Sequence, residues 1–305
     1  MKPNLLPFIV EKWNGVSPSS ADFTGKTVLI TGANVGLGFE TAVLYTQLNA
    51  EVVILGVRDV AKGSAARDLI EQRTRRSGVV KVWELDMGTY NSIDAFARRV
   101  STELPRLDVA ILNAGVTAKD YVVGAEGWET TLQVNVLGTA LLGSLLLPKM
   151  KSSTATDRDI PHLVVVTSEA HRWLEAKDFP DTRATNGHLL ESVNSRPARA
   201  KDWDGMLQNA RSKLFAMYVA RSLAKAATSP TGEVHTVVTT VCPGACKSDL
   251  VREFKSAGIG YTIALKIFDL LFNKPTEQGA RSYVAASTLG RKGHGNWYKT
   301  VAVTS

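Results

Sequence analysis

Six short apolar runs rich in β-branched residues alternate along the chain with longer segments of helical periodicity. This alternation predicts βαβ units, and apolar runs without an alternating polar face are typical of parallel strands that helices cover on both sides. We therefore predict an α/β fold with a doubly wound parallel sheet in a single domain, and a further short strand near Trp297–Val303. The six predicted strands are Thr27–Thr31, Glu51–Gly56, Val79–Glu84, Val109–Asn113, His162–Thr167 and Val234–Val241.

Glycines directly follow the first predicted strand, in the segment Thr31-Gly32-Ala33-Asn34-Val35-Gly36-Leu37-Gly38. A helical pattern then begins at Phe39. Glycines let a backbone turn tightly and approach a pyrophosphate, while the N-terminus of a helix supplies free N–H groups and a positive dipole. The position of the segment between a strand and a helix predicts a dinucleotide site in a sheet of the Rossmann type.

The end of the second predicted strand indicates which dinucleotide is bound. Folds of this type that prefer NAD have an acidic side chain here, which accepts hydrogen bonds from the ribose hydroxyls. This chain has Gly56-Val57-Arg58 instead. An arginine can pair with a 2′-phosphate through two hydrogen bonds, although Asp59, which follows, weakens the attraction. We therefore predict NADPH in preference to NADH.

The charges and cysteines of the chain exclude several classes of site. The chain has 36 Lys and Arg against 29 Asp and Glu, a net charge of +7, but its basic residues are scattered and form no stripe with aromatic residues. A nucleic acid partner is therefore not predicted. The two cysteines, Cys242 and Cys246, are too few for a disulfide framework, and no Cys/His cluster accompanies them, so no metal site is predicted.

The apolar stretches are too short to predict a membrane protein. The longest uncharged stretch, Val134–Pro148, has about 15 residues, and a helix that crosses a bilayer needs ~20. It predicts a buried helix, so no stable membrane span is expected. The start of the chain lacks the basic-then-apolar order of a secretion signal, which favours a cytoplasmic protein.

Three segments are predicted to extend the core of one domain that covers residues 25–305. Residues 1–24 form an N-terminal extension. Glu169 to Ala200 is polar and rich in turn residues, which predicts a long loop or substrate-loop insertion at about 169–200. Tyr261 to Phe272 is apolar but carries two charges, which predicts a lid within about 249–275, with contact to a membrane surface as the alternative.

Five motifs occur in the order that is typical of one large enzyme family. They are Thr-Gly-x-x-x-Gly-x-Gly at 31–38, Asp86, Asn113-Ala114-Gly115, Asn135 and Ser168. Over about Gly25 to Ala286 the chain therefore resembles the short-chain dehydrogenase/reductase family. Val57-Arg58, Ser168-x-x-His171 and Pro243-Gly244 make it similar to the retinol-dehydrogenase-like branch, which includes reductases of fungal natural-product pathways.

The resemblance implies which residues hold the cofactor. The glycine-rich loop would cradle the pyrophosphate, Arg58 would bind the 2′-phosphate, and Asp86 the adenine. The segment from Pro243 resembles the loop that contacts the nicotinamide carboxamide, with Ser248 where the family commonly has threonine; either hydroxyl can make that hydrogen bond. The implied cofactor-binding residues are Gly32, Asn34, Gly36, Leu37, Gly38, Arg58, Asp86, Asn113, Ala114, Gly115, Lys213, Pro243, Gly244 and Ser248.

The resemblance also implies a catalytic tetrad of Asn, Ser, Tyr and Lys, of which three members match. Asn135 would support a water chain, Ser168 would orient the carbonyl, and Lys213 would lower the tyrosine pKa and hold the ribose. The tyrosine belongs four residues before the lysine, one helical turn away on the same face, and that residue is Asn209. A carboxamide cannot supply a proton near neutral pH, and loss of a general acid typically costs about 10²–10⁴-fold in rate.

Reduction without the tyrosine needs another source for the proton. The candidates are Lys213 acting through water, Glu169, His171, Tyr121, or an acidic group of the substrate itself. We rank the water relay from Lys213 first. Tyr218 is five residues after the lysine and is predicted to point elsewhere on the helix.

Three functions are compatible with these residues. The first is an NADPH-dependent reductase of a hydrophobic carbonyl or enone substrate in secondary metabolism, with atypical proton donation. The second is a non-redox biosynthetic catalyst of dehydration, isomerisation or cyclisation, with Asn209 as a hydrogen-bond donor to the transition state. The third is a cofactor-binding protein without turnover, against which the retention of Asn135, Ser168 and Lys213 argues. The resemblance also allows a homodimer.

Overall fold

The computed structural model describes residues 16–153, 160–246, 273–299 and 302–304. Within these residues eight strands form one sheet in the order β3-β2-β1-β4-β5-β6-β7-β8. Strands β1 to β7 are parallel, and β8 is antiparallel to β7. The strands are β1 Thr27–Thr31, β2 Val52–Val57, β3 Val80–Glu84, β4 Val109–Leu112, β5 His162–Val166, β6 Val237–Cys242, β7 Trp297–Lys299 and β8 Ala302–Thr304.

Helices cover both faces of this sheet. They are α1 Gly36–Gln47, α2 Val60–Thr74, α3 Tyr90–Glu103, α4 Thr130–Ser152, α5 Leu189–Asn194, α6 Gly205–Ala226 and α7 Thr276–Ala286. One hydrophobic cluster joins the sheet to α1, α2 and α7, through residues such as Ile70 and Tyr283. A second joins the other face to α3, α4 and α6, through residues such as Phe96 and Leu146. The predicted doubly wound α/β fold in a single domain is therefore confirmed.

The observed strands and the first helix differ from the prediction at a few ends. β6 begins at Val237 and not at Val234, because Val234 bridges Thr228 in the turn that follows α6. The short strand predicted near Trp297–Val303 is present as β7, and a second short strand, β8, follows it and pairs with it antiparallel. α1 begins at Gly36 instead of Phe39, because the Phe39 amide already donates to the Val35 carbonyl at 3.3 Å.

The helix α4 is longer than the uncharged stretch that predicted it. Among the described residues it is the one helix whose length and composition would suffice to cross a membrane, but 67% of its apolar window is buried in the protein. It packs between α3 and α6. Its segment Gln133–Gly138 is π-helical, whereas the residues before and after it are α-helical. The structure thus agrees with a buried core helix.

The predicted additions to the core are described in part. Of the N-terminal extension, residues 16–24 are described, and Phe23 packs edge-on against Tyr45 of α1 with ring centroids 4.8 Å apart. The insertion at 169–200 forms short 3₁₀ turns and α5, and the Arg211 Nε of α6 donates to the Asp178 carbonyl at 2.6 Å. Residues 249–272 of the predicted lid, and Ser248, lie outside the described residues.

Candidate active site

A cavity of about 550 Å³ opens at the carboxyl ends of the parallel strands. Its position follows from the topology, because β1 lies between β2 and β4, so the connections from β1 and from β4 diverge and leave a crevice. The predicted site residues that line it are Gly32, Asn34, Gly36, Leu37, Arg58, Asp86, Asn113, Ala114, Gly115, Ser168, Lys213, Pro243 and Gly244. Three other predicted residues, Gly38, Asn135 and Asn209, pack behind its wall, as described below.

The glycine-rich loop between β1 and α1 presents backbone to the cavity. Gly32 and Gly36 have φ values of +65° and +61°, which L side chains rarely adopt. A Cβ atom on Gly36 would meet no other atom within 4 Å, so this part of the loop borders open space. No side chain caps α1 at Val35, which leaves the first N–H groups of the helix available to an anion. These features fit the pyrophosphate of a dinucleotide.

Gly38 and Asn113 fix the shape of this loop from behind. A Cβ atom on Gly38 would lie 2.6 Å from the Gly32 carbonyl oxygen and 2.7 Å from Asn113 Nδ2, so no side chain fits there. The same Nδ2 donates to the Thr31 carbonyl at 2.9 Å, and Asn113 Oδ1 accepts from the Tyr283 hydroxyl at 3.2 Å. Asn113 therefore connects β4, the loop and α7, in addition to lining the cavity.

Two basic side chains, Arg58 and Lys62, line the end of the cavity beside β2. Asp59, between them, caps α2 by accepting from the Lys62 amide at 3.0 Å, and its carboxylate lies 3.3 Å from Lys62 Nζ. These hydrogen bonds, the backbone one foremost, lower the pKa of Asp59. The carboxylate is thus engaged within its own helix turn, which reduces its repulsion of a phosphate beside Arg58.

At the other end of the cavity, Lys213 from the interior of α6 meets Ser168, which lies two residues after β5. Lys213 Nζ donates to the Val166 carbonyl at 3.1 Å. The Ser168 hydroxyl accepts from the Ala170 amide at 3.2 Å, and its own proton can point to a substrate oxygen. Asn135 exchanges two hydrogen bonds with the Val116 backbone, at 2.9 and 3.0 Å, and so fixes the wall that carries Gly115 and Val116.

The ammonium group of Lys213 is buried, and burial lowers its pKa from 10.5 to about 8, while the thiol of Cys242 acts in the opposite direction. The cause is desolvation, which disfavours the charged form of an amine. Lys213 thus titrates close to physiological pH. A group with such a pKa can give up and regain a proton during a reaction.

Asn209 occupies the position of the missing tyrosine without facing the cavity. Its side chain is 5% exposed and is not among the described residues that line the cavity. Its Oδ1 lies 3.5 Å from Asn135 Nδ2, which also donates to Ser212 Oγ at 3.0 Å. Asn209 therefore belongs to an amide and hydroxyl network behind the wall.

The other predicted proton donors are engaged elsewhere. Glu169 accepts from Lys299 Nζ at 2.8 Å. His171 Nδ1 lies 2.5 Å from the Ser168 carbonyl, and burial lowers the pKa of this imidazole. The Tyr121 hydroxyl donates to the Asn194 carbonyl at 2.8 Å. Of the protein groups proposed as donors, Lys213 is the one that lines the cavity within the described residues.

The structure adds residues to the site that the sequence reasoning missed. Tyr283, Cys242 and Cys246 line the cavity, as does Thr117. The cysteines flank the predicted segment Pro243-Gly244, and this neighbourhood could have identified them. Nothing in the local sequence distinguishes Tyr283, because a helix far along the chain brings it to Asn113. Tyr218, as predicted, points away from the site and is 53% exposed.

Comparisons with known proteins agree with this geometry. Residues 26–173 match the short chain dehydrogenase family. The chain is 38% identical to short chain dehydrogenase/reductase dmxR8 of Cryptosporiopsis, over 91% of this chain and 82% of that protein. It is also 38% identical to short-chain dehydrogenase/reductase ffsI of Aspergillus flavipes, over 92% and 78%. A crystal structure of an uncharacterized protein from Mycobacterium paratuberculosis is similar with a TM-score of 0.66, 25% identity and coverage of 93% and 84%.

Proposed function

Because the chain belongs to the short-chain dehydrogenase/reductase family, within a fungal branch of it, we propose that it is an NADPH-dependent reductase of a hydrophobic carbonyl or enone substrate in secondary metabolism. The observation that carries this proposal is one cavity that joins the glycine-rich loop and Arg58 to Ser168 and Lys213. The nicotinamide of a bound cofactor would supply a hydride. Apolar side chains at the walls, including Val116 and Val134, suit a hydrophobic substrate.

The proposed mechanism assigns each polar group one task. Ser168 donates its hydroxyl proton as a hydrogen bond to the substrate oxygen and so stabilises the charge that develops there. Asn135 keeps the wall at Val116 in place. Lys213, with its pKa near 8, holds the proton that the substrate must receive and delivers it through a bridging group, for which water is the simplest choice.

The preference for NADPH rests on Arg58 and Lys62. We expect Arg58→Ala to weaken NADPH binding by roughly 10–100-fold, because a charge-assisted pair with the 2′-phosphate is lost, and to leave NADH binding nearly unchanged. Fluorescence titration with both cofactors measures this. Arg67→Ala is the matched control, since Arg67 is on α2, the helix that follows Arg58, but is paired with Asp68 outside the cavity. Equal losses for both cofactors would show that Arg58 does not recognise the phosphate.

The position of Asn209 leads to a second prediction. We expect Asn209→Tyr to raise the rate of carbonyl reduction by at least about tenfold, as part of the 10²–10⁴-fold that a general acid contributes. The phenol would sit one helical turn from Lys213, on the same face of α6. Asn209→Phe is the control, because it adds the ring without the hydroxyl. Loss of the natural activity in both variants would instead give the carboxamide a role of its own.

The test of the reductase itself is transfer of label. The purified protein is incubated with NADPH deuterated at the nicotinamide and a panel of ketones, enals and enones, and products are analysed by mass spectrometry. Deuterium in a product is the expected result, and the labelled carbon distinguishes carbonyl from alkene reduction. Binding of NADPH without transfer would favour the non-redox catalyst, in which the fold performs dehydration, isomerisation or cyclisation. If the protein neither binds NADPH nor transfers deuterium, both the reductase and the non-redox catalyst with a bound cofactor would be contradicted.

A further inference from the structure

Cys242 lies at the end of the cavity that carries Ser168 and Lys213. The mechanism above gives its thiol no role. Cys242 is the last residue of β6, and it lines the cavity together with Ser168 and Lys213. Its side chain is 2% exposed and belongs to no disulfide. The thiol is therefore shielded from bulk water but borders the space where a substrate would react.

The strand geometry directs Cys242 toward the helix that carries Lys213. Val238 and Thr240 face α6, since they line a small cavity with Met217 and Ala220 of that helix. Alternate residues of a strand share a face, so Cys242, two residues after Thr240, continues this row. This argument agrees with the electrostatic influence of the thiol on Lys213.

The second thiol, on Cys246, has a different surrounding. Its Sγ would lie 2.5 Å from a Cβ atom on Gly279, which is part of α7 on the opposite face of the sheet. It also lies 3.3 Å from the Pro243 carbonyl, to which it can donate. The two cysteines therefore have different surroundings, although both line the cavity.

The groups around Cys242 favour the thiolate that remains after a proton is given away. The Glu169 amide donates to its Sγ at 3.2 Å, and Lys213 adds a positive charge. Lys299, on β7, is the in-register neighbour of Cys242 on β6. Its ammonium group binds the Glu169 carboxylate at 2.8 Å and so offsets the negative charge of that carboxylate. Tyr283, which also lines the cavity, interacts electrostatically with Cys242, but burial raises the pKa of this phenol, so it stays neutral. Nearby cations and N–H donors are the usual means of stabilising a thiolate.

We propose that Cys242 is a further catalytic residue, whose thiol passes the proton of Lys213 to the substrate in place of the absent phenol. This inference rests on the proposed reductase function. Hydride from NADPH forms the new C–H bond, so NADPH is oxidised to NADP⁺ and the substrate is reduced. The S–H bond of Cys242 breaks as the O–H bond of the alcohol, or the C–H bond of a protonated enolate, forms. Lys213 then protonates the thiolate and recovers a proton from solvent.

The first test needs no substrate. In the Cys246→Ser protein, Cys242 is the one remaining cysteine. We expect iodoacetamide to alkylate it in the folded protein, and bound NADPH to slow the reaction. We also expect Lys213→Met, added to Cys246→Ser, to shift the pH profile of alkylation to higher pH, because the nearby cation is removed. Absence of alkylation, or identical pH profiles in the two proteins, would overturn the proposal.

The second test measures turnover in a protein that retains Lys213. With the substrate that accepts deuterium most readily, we expect Cys242→Ala to lower the rate by about 10²–10⁴-fold while NADPH binding is retained. Thiols discriminate against deuterium, so the wild-type protein should also show an inverse contribution to its solvent isotope effect, which Cys242→Ser would lose.

The outcomes separate the thiol from the reductase. Equal rates of deuterium transfer by the wild-type and Cys242→Ala proteins would rule out the thiol as proton donor but would leave the proposed reductase function standing. Absence of deuterium transfer by the wild-type protein would contradict the proposed reductase function, and with it the role of Cys242 as proton donor. Circular dichroism and NADPH titration show whether each variant is folded.

Discussion

Replacing Lys213 by methionine is expected to lower reductase activity by at least about 10²–10⁴-fold and, at pH 7, to make the cofactor-free protein more stable. The loss of activity follows because Lys213 lines the cavity and supplies the proton that a bridging group, either water or the Cys242 thiol, passes to the substrate. NADPH binding should weaken as well, since the family resemblance assigns the ribose to this lysine. Unchanged NADPH affinity would contradict that part of its role.

The gain in stability follows from the burial of the ammonium group. A pKa lowered from 10.5 to about 8 means that the folded state disfavours the charged amine by up to about 3 kcal/mol. Between these two pH values the unfolded chain binds more protons than the folded one, so wild-type stability rises with pH through this window. The advantage of Lys213→Met should therefore be full below pH 8 and should vanish by about pH 10.5.

Urea unfolding at several pH values measures this difference in the free energy of unfolding. Lys225→Met is the matched control, because Lys225 is on the same helix α6 but is exposed, so its removal should leave the pH dependence unchanged. A Lys213→Met protein that is less stable than wild type at pH 7 would show that the hydrogen bond to Val166 outweighs the cost of burying the charge.

Substituting alanine at Gly38 and at Gly36 is expected to separate folding from cofactor binding. The methyl group at position 38 would be 2.6 Å from the backbone carbonyl oxygen of Gly32 and 2.7 Å from Asn113 Nδ2, which a hydrogen bond to the Thr31 carbonyl holds in place. We expect a loss of roughly 1–3 kcal/mol in stability or more, together with loss of NADPH binding, because the whole loop must shift. At Gly36 the methyl group meets nothing, and only the strain of a positive φ, about 1 kcal/mol, acts on stability.

The Gly36→Ala protein should nevertheless bind NADPH poorly, because its methyl group occupies the space where the pyrophosphate approaches the backbone. Thermal unfolding of both variants, with and without NADPH, distinguishes these effects. Gly25→Ala is the control, since Gly25 also has a positive φ and open surroundings but lies outside the cavity. Normal NADPH binding by Gly36→Ala would show that the cofactor does not approach this part of the loop.

Sequence reasoning predicted the core strands well because most of them are continuous apolar runs. β1, for example, is buried along its whole length, so its pattern could not be mistaken for a surface segment. The antiparallel pair of β7 and β8 was harder to predict, since each strand has three residues, and so short a pattern does not show that the chain reverses direction between them. The start of β6 was placed too early because Val234, although apolar, belongs to a turn.

The candidate site was predictable where it is built from local motifs. The glycine loop and Arg58 each follow a strand directly, and the topology then brings them to one edge of the sheet. The position of Asn209 behind the wall was not predictable, because it depends on how α6 packs against Asn135. Cys242 was missed for a related reason: its importance comes from Lys213 and Glu169, which are distant in sequence.

The number of residues in the π-helical stretch Gln133–Gly138 determines which side chains of α4 face the site. A π turn holds more residues than an α turn, and such turns often occur at functional sites. Deleting one residue from it would restore a regular helix and rotate the preceding turn by about 100°. Asn135 would then lose its hydrogen bond to the Val116 carbonyl, and Glu129 would lose its 3.0 Å hydrogen bond from Gln208. An alignment that closes a single-residue gap here would therefore equate side chains that stand on different sides of the helix.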